Sequence, residues 1–231
     1  MLEHLGKELA LRFTVGGVEV AFNPVVVSLA LGVSLALMGL LLWVRRGLPS
    51  DPDAPLSRRA AAVAWAVEFF RDQILGGLSP TLAERLFPLV VALFLYVLAC
   101  NWAGVLPLPY AVSPTQDLNV TLGLALMVYV LTHFYGIRAK GVLRHLKGYL
   151  EPFPFLLPLN IVGDFGRTLS HGFRLFGNVL GGALLTAVVA GKFAPLVVPA
   201  GLNVWFGLFM GLIQALVFTL LAVAYIRASA E

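Results

Sequence analysis

Residues Gly163–Gly182 read GDFGRTLSHGFRLFGNVLGG. Two arginines, an aspartate and a histidine stand near the middle of a segment whose flanks suit lipid. The whole chain is 59% hydrophobic and only 12% charged, with a mean hydropathy of +0.90, whereas soluble domains carry about 25% charged residues. Five long runs lack Asp, Glu, Lys and Arg or nearly so: Val25–Val44, Leu86–Gln116, Leu118–Ile137, Leu175–Gly191 and Phe193–Ile226. A spanning helix needs about 20 apolar residues, so the composition predicts an all-α integral membrane protein.

On a helical wheel Asn160, Asp164, Arg167, His171, Arg174 and Asn178 fall within about 40° of one direction. The rest of that surface is Ile, Val, Phe, Leu and Gly. A charge at bilayer depth costs about 2.5 kcal/mol or more, and such groups face a partner, a bundle interior or a water-filled cavity. Asp164 and Arg167 are spaced i, i+3 and can satisfy each other. They serve equally as a structural pair or as part of an ion path. Arg174 has no carboxylate one or two turns away, so it expects an anion from another chain. Beyond Asn178 the stripe becomes Gly181 and Gly182, where a second helix can approach closely.

Working outward, Pro158–Gly191 has no internal proline and reads as one helix about 50 Å long. Leu202–Arg227 adds nearly 40 Å on the same rise. Both exceed the roughly 30 Å hydrocarbon core, so residues 154–228 are expected to form two long, strongly tilted helices, turning near Pro195, Pro199 and Gly201. Asn203, Gly207, Gln214 and Tyr225 share one face of the last helix. Gln214 is expected either in a structural hydrogen bond or paired with the stripe of the preceding helix.

Upstream, residues 1–22 read as an amphipathic arm, too acidic and polar for a signal peptide. Residues 23–46 form the first span. Arg45, Arg46, Arg58 and Arg59 mark the following loop as cytoplasmic by the positive-inside rule. Residues 59–76 read as an interfacial helix, with Glu68, Arg71 and Asp72 opposite Val63, Val67 and Phe70. Residues 84–137 form a helical hairpin through a Pro-rich loop without Lys or Arg. Thr115 or Asp117 caps its second helix, and Arg138, Lys140, Arg144 and Lys147 mark its cytoplasmic end. The expected architecture is a single membrane domain of about five membrane helices plus one interfacial helix. Its N-terminus faces out and its C-terminus the cytoplasm.

The net charge of +4 is explained by these loops and does not call for nucleic acid. The single Cys100 permits no internal disulfide. Neither a metal motif nor a convincing Ser/His/Asp set is visible, and no phosphate-binding glycine loop. The chain is therefore expected to hold no metal or cofactor, to bind no nucleotide and to catalyse no reaction by itself. A stand-alone secondary ion transporter is the alternative class, although no inverted repeat or paired broken helices support it.

Five segments in order then resemble subunit a of the F-type ATP synthase, the stator of its F0 membrane sector. They are NWAGVLP, PTQDLNVTLGLAL, FYGIRAKGV, FRLFGN (Phe173–Asn178) and IQALVFTLLAVAYI, and the likeness runs from about Phe22 to Ile226. The resemblance implies a multi-pass protein of the bacterial inner membrane whose last two helices form a hairpin against a ring of c subunits. It implies b-type peripheral-stalk subunits and the rest of the F0F1 complex as further partners, and transport of H+ or Na+ through two offset half-channels. Arg174 would be the stator arginine, essential for coupling. Asn178 and Gln214 would lie on the ion path near it, Asp117 and Asn119 on the outside access route, and Asp164, with Ser170, Arg167 and His171, on the remaining path. Gly177, Gly181 and Gly182 would meet the ring. Many relatives carry Glu or His where this chain has Ala183 and Gly207. The gap leaves open water, Asp117 and His133 as substitutes, or a sodium-linked or N-type branch.

Overall fold

The computed structural model describes residues 11–15, 18–48, 57–105, 113–190 and 201–231. It is an all-α membrane protein with one small non-helical element. Two strands, β1 (Leu11–Val15) and β2 (Val18–Phe22), pair antiparallel, Leu11 opposite Phe22 and Val15 opposite Val18. The alternation of LRFTV and VEVAF suits a period of two, and it makes a hairpin of what residues 1–22 suggested as an amphipathic arm. Residues 1–10 lie outside the described part.

Five helices are long and apolar enough to cross a membrane. Helix α1 is Pro24–Arg46; the Asn23 side chain accepts from the Val25 and Val26 amides at its start, and Pro24 occupies a position where no amide is needed. Helix α2, Arg58–Phe69, is capped by Ser57 and continues as a π-helical turn over Phe70–Ile74. Ala60, Phe70, Ile74 and Leu75 are buried and Glu68, Arg71 and Asp72 exposed, as its amphipathic pattern requires. Helix α3 spans Pro80–Ala103 and α4 spans Leu118–Lys140. Of the two candidate caps for α4, Asp117 is the one used: its carboxylate accepts from the Asn119 amide at 2.8 Å. Gly141, with φ +82°, breaks α4 from the short α5, Val142–Gly148.

Helix α6, Leu157–Ala190, is a single 34-residue helix, about 51 Å long at 1.5 Å per residue. Helix α7, Gly201–Ala230, is also continuous, but Val204–Met210 within it is π-helical. Both exceed the hydrocarbon thickness, as the sequence predicts. The turn expected at Pro195 and Pro199 falls outside the described residues.

The core forms where α3, α4 and α6 meet α7. Leu86, Val90 and Val97 of α3, Val128 of α4, Leu175 of α6 and Ala215, Phe218, Ala222 and Ile226 of α7 are almost wholly buried. Gly172 lets α6 cross α4: a Cβ there would stand 2.9 Å from Leu122 and 3.3 Å from Ala125. Helix α1 stands apart, touching chiefly α3, and only Val26 along it is buried.

Candidate functional site: two cavities and the helix between them

The six residues of the polar stripe on α6 divide between one cavity and the interval beyond it. At one end a cavity of about 350 Å³ is lined by Asn160, Asp164, Arg167 and His171, with His133 of α4, Tyr149 after α5 and Tyr225 of α7. Asp164 is its hub. Its Oδ1 accepts from Arg167 at 3.0 Å and its Oδ2 from the Tyr149 hydroxyl at 2.6 Å. His133 Nε2 lies 2.6 Å from the same hydroxyl and 3.3 Å from Oδ2, while Nδ1 lies 2.9 Å from the Tyr129 carbonyl. Asn160 donates to the carbonyls of Tyr149 and Glu151 and so ties the loop after α5 to α6. Burial, and then the hydrogen bond to Asp164, push the Tyr149 hydroxyl well above its ordinary pKa; it stays protonated at any physiological pH. Burial, followed by the nearness of His133 and Lys140, holds His145 below its ordinary value. The Asp164–Arg167 pair is thus one edge of a larger network.

His171 is 2% exposed. Its ring lies 3.9 Å from that of Phe218 and 5.6 Å from that of Tyr225. Its Nε2 has no hydrogen-bond partner among the described residues.

At the other end of α6 a second cavity, about 460 Å³, is lined by Ala183, Gly182 and Thr186 of α6, Asn203 and Gly207 of α7, Asn101 of α3 and Gln116. Ala183 and Gly207, where acidic or imidazole side chains were expected by resemblance, face the same space. At Gly207 an added Cβ would collide with Val105. Among the described residues this cavity carries amides, hydroxyls and carbonyls but no side chain that titrates near neutral pH. Asp117 and Asn119 do not line it. His133 lies in the other cavity, beside Asp164, and so cannot substitute for the missing groups here.

No residue of α6 between His171 and Val179 lines either cavity, a separation of about 12 Å. Leu175, Ala215 and Phe218 close the interval with at most 1% exposure. Asn178 Nδ2 donates to Gln214 Oε1 at 2.5 Å, the pairing of α7 with the α6 stripe that was one of the two expectations. Gln214 is 3% exposed and its Nε2 has no partner among the described residues. Arg174 lies in this interval, exposed and in none of the ion pairs among the described residues.

A further face of α6 carries small residues. Gly163, Gly166, Ser170, Gly177 and Gly181 lie within about 30° of a common direction, all exposed. A Cβ on any of the four glycines meets nothing within 4 Å. Arg174 sits between this face and the polar one. Gly182 differs: a Cβ there would stand 2.9 Å from Phe206 Cβ, so it serves the contact with α7.

The sequence reading missed the groups that brace the second cavity. Asn101 is 3% exposed, donates to the Gly211 carbonyl at 2.9 Å and accepts from Thr115 at 2.7 Å. Trp102 Nε1 donates to the Leu208 carbonyl at 3.1 Å. Both carbonyls lie in or next to the π-helical part of α7. There the helical ladder is re-spaced and carbonyls can turn to α3. Asn101→Ala removes both partners at once and leaves buried groups unpaired, each at about 1–3 kcal/mol. A lower denaturation midpoint in detergent, with Leu131→Ala on α4 as a packing control, checks this.

The described residues thus form a polytopic helical membrane protein with two cavities towards opposite ends of α6, separated by a closely packed interval that carries Arg174. Comparison with known proteins gives the family. The description ATP synthase A chain matches residues 25–227, and the chain belongs to that family. It is 36% identical over 218 residues to ATP synthase subunit a 2 of Picosynechococcus sp., covering 91% of this chain and 87% of that one. It is 38% identical over 183 residues to ATP synthase subunit a 1 of Crocosphaera subtropica, covering 79% and 76%. It is 32% identical over 227 residues to ATP synthase subunit a of Staphylococcus aureus, covering 90% and 91%.

Proposed function

We propose that this chain is the ion-translocating stator subunit of an F-type ATP synthase, non-catalytic by itself, working against a ring of c subunits and held by b-type stalk subunits. The observation that carries the reading is the pair of cavities at opposite ends of α6, with Arg174 exposed in the interval between them. The Asp164 cavity would be the half-channel open to the cytoplasm, because Lys140 and Arg144 are among the residues that line it. The Ala183 cavity would open to the outside, with the N-terminus outside and the C-terminus cytoplasmic.

A carboxylate on the ring must be neutral while it faces lipid. To pass the stator it must release its ion, and a fixed positive charge favours the ionised form. Arginine stays protonated where lysine can lose its proton. The buried Leu175, Ala215 and Phe218 would block a direct water path. Such a path would dissipate about 2.3 kcal/mol per charge for each 100 mV. Ions then cross only by riding the ring, whose carboxylates pass along the small-residue face. The alternative of a stand-alone transporter needs one site with alternating access, and the two fixed cavities do not favour it.

ATP-driven acidification by the purified complex in liposomes tests the reading, with and without sodium and with a protonophore. Acidification that needs no sodium is the expected result. Transport by this chain alone, without ring or ATPase sector, would sink the proposal.

A further inference from the structure

The hydrogen-bond geometry around Asp164 constrains where protons can be. The Tyr129 carbonyl can only accept, so His133 Nδ1 carries a hydrogen. Tyr149 has one hydrogen and two neighbours at 2.6 Å, His133 Nε2 and Asp164 Oδ2. Both contacts are hydrogen bonds in only two arrangements. In the first, His133 is doubly protonated, Nε2–H donates to the Tyr149 oxygen and the Tyr149 hydrogen goes to an ionised Asp164. In the second, Asp164 carries the proton on Oδ2 and donates it to the Tyr149 oxygen, and Tyr149 donates to a neutral His133. The trio has the same number of protons and the same total charge in both.

We infer that Tyr149 is a relay hydroxyl that passes protons between His133 and Asp164 at the inner half-channel. In the step, the Nε2–H bond of His133 breaks as a new O–H bond forms on Tyr149. The original Tyr149 O–H breaks as its proton joins Asp164 Oδ2. No charge leaves the trio, and no phenolate forms.

The surroundings suit this traffic. Arg167 holds Oδ1 at 3.0 Å, which leaves Oδ2 as the exchanging oxygen. The His133 side chain is 23% exposed and Asp164 16%, so His133 is the end that water reloads. Asn160 fixes Tyr149 through its carbonyl at 2.9 Å. Two turns further along α6, about 10 Å on, stands His171, which lines the same cavity while its Nε2 is buried and has no partner among the described residues. A sodium ion needs several oxygen ligands and gains nothing from an imidazole–phenol–carboxyl chain. The relay therefore makes the carried ion a proton. This inference rests on the stator reading above.

The test uses the whole reconstituted complex with Tyr149→Phe, which keeps the ring and removes the hydroxyl. ATP-driven acidification should fall at least about tenfold, somewhat less than the 10² of a well-placed proton donor because the cavity admits water. Inhibitor-sensitive ATP hydrolysis in detergent, where no gradient builds, should fall likewise and recover when imidazole buffer is added. A hydroxyl that only pins the loop to α6 would show no such recovery, and its absence overturns the relay. So does unchanged acidification, or sodium uptake that survives a protonophore. If Tyr149→Phe fails to assemble, Asp164→Asn takes its place. It still accepts from Tyr149 but cannot take the proton, and it should show the same loss; normal pumping overturns the relay. Arg174→Ala run in parallel separates the two claims. If it loses pumping while Tyr149→Phe pumps normally, the relay fails and the stator reading stands. If Arg174→Ala itself pumps, the stator reading fails.

Discussion

Arg174→Ala is expected to abolish ATP-coupled ion transport while the complex still assembles. The side chain is exposed and takes part in none of the ion pairs among the described residues, so its removal costs the fold little. Its neighbour Leu175 keeps the buried contact with α7. On the proposed stator role, what disappears is the charge that would stabilise an ionised ring carboxylate at bilayer depth. At a minimum of about 2.5 kcal/mol, that loss corresponds to at least roughly 70-fold in rate. Arg174→Lys should recover only a small part, because an ammonium can shed its proton when desolvated. Acid uptake by vesicles, normalised to the amount of complex, decides it; retained pumping by the alanine variant would be incompatible with the proposed role.

Gly181 and Gly182 are neighbours that should fail in opposite ways. An added side chain at Gly181 meets open space, so Gly181→Trp should leave the thermal stability of the chain in detergent unchanged. In the assembled motor the same indole would stand in the path of the ring. Inhibitor-sensitive ATP hydrolysis should be lost, or the ring should no longer co-purify. Gly182→Leu drives into Phe206 and should cost about 1–3 kcal/mol as an overpacked contact, visible as a lower melting midpoint before any partner is added. If Gly181→Trp instead melts early and couples normally, the open face of α6 is not where the ring runs.

Much of this was legible in the chain because its signals are local. The spans follow from runs of apolar residues, and the start of α4 from Asp117 at its cap. The polar stripe of α6 is a matter of spacing alone, and the continuity of α6 follows from the absence of an internal proline. Other features depend on contacts distant in sequence. Tyr149 is 15 residues from Asp164 and lies in a loop that no periodicity describes. Asn101 meets Gly211 across 110 residues. The division of the glycines between an open face and the α7 contact needs the position of Phe206, which no pattern within α6 contains. The place of His133 beside Asp164 was not legible either, because its partners come from two other elements.

The π-helical run Val204–Met210, which includes Gly207, sits between Asn203 and the part of α7 that carries Gln214 and Tyr225. Removing one residue from it would let the ladder close as an ordinary helix, with little effect on hydrophobicity or predicted spans. It would also swing everything before the deletion by about 100° relative to everything after it, so that Gln214 and Asn203 could no longer both address α6. In that stretch the length of the chain is under tighter constraint than the identity of any residue except Gly207. A library of single-residue deletions should leave a sharp gap at 204–210, where substitutions at positions other than Gly207 are tolerated.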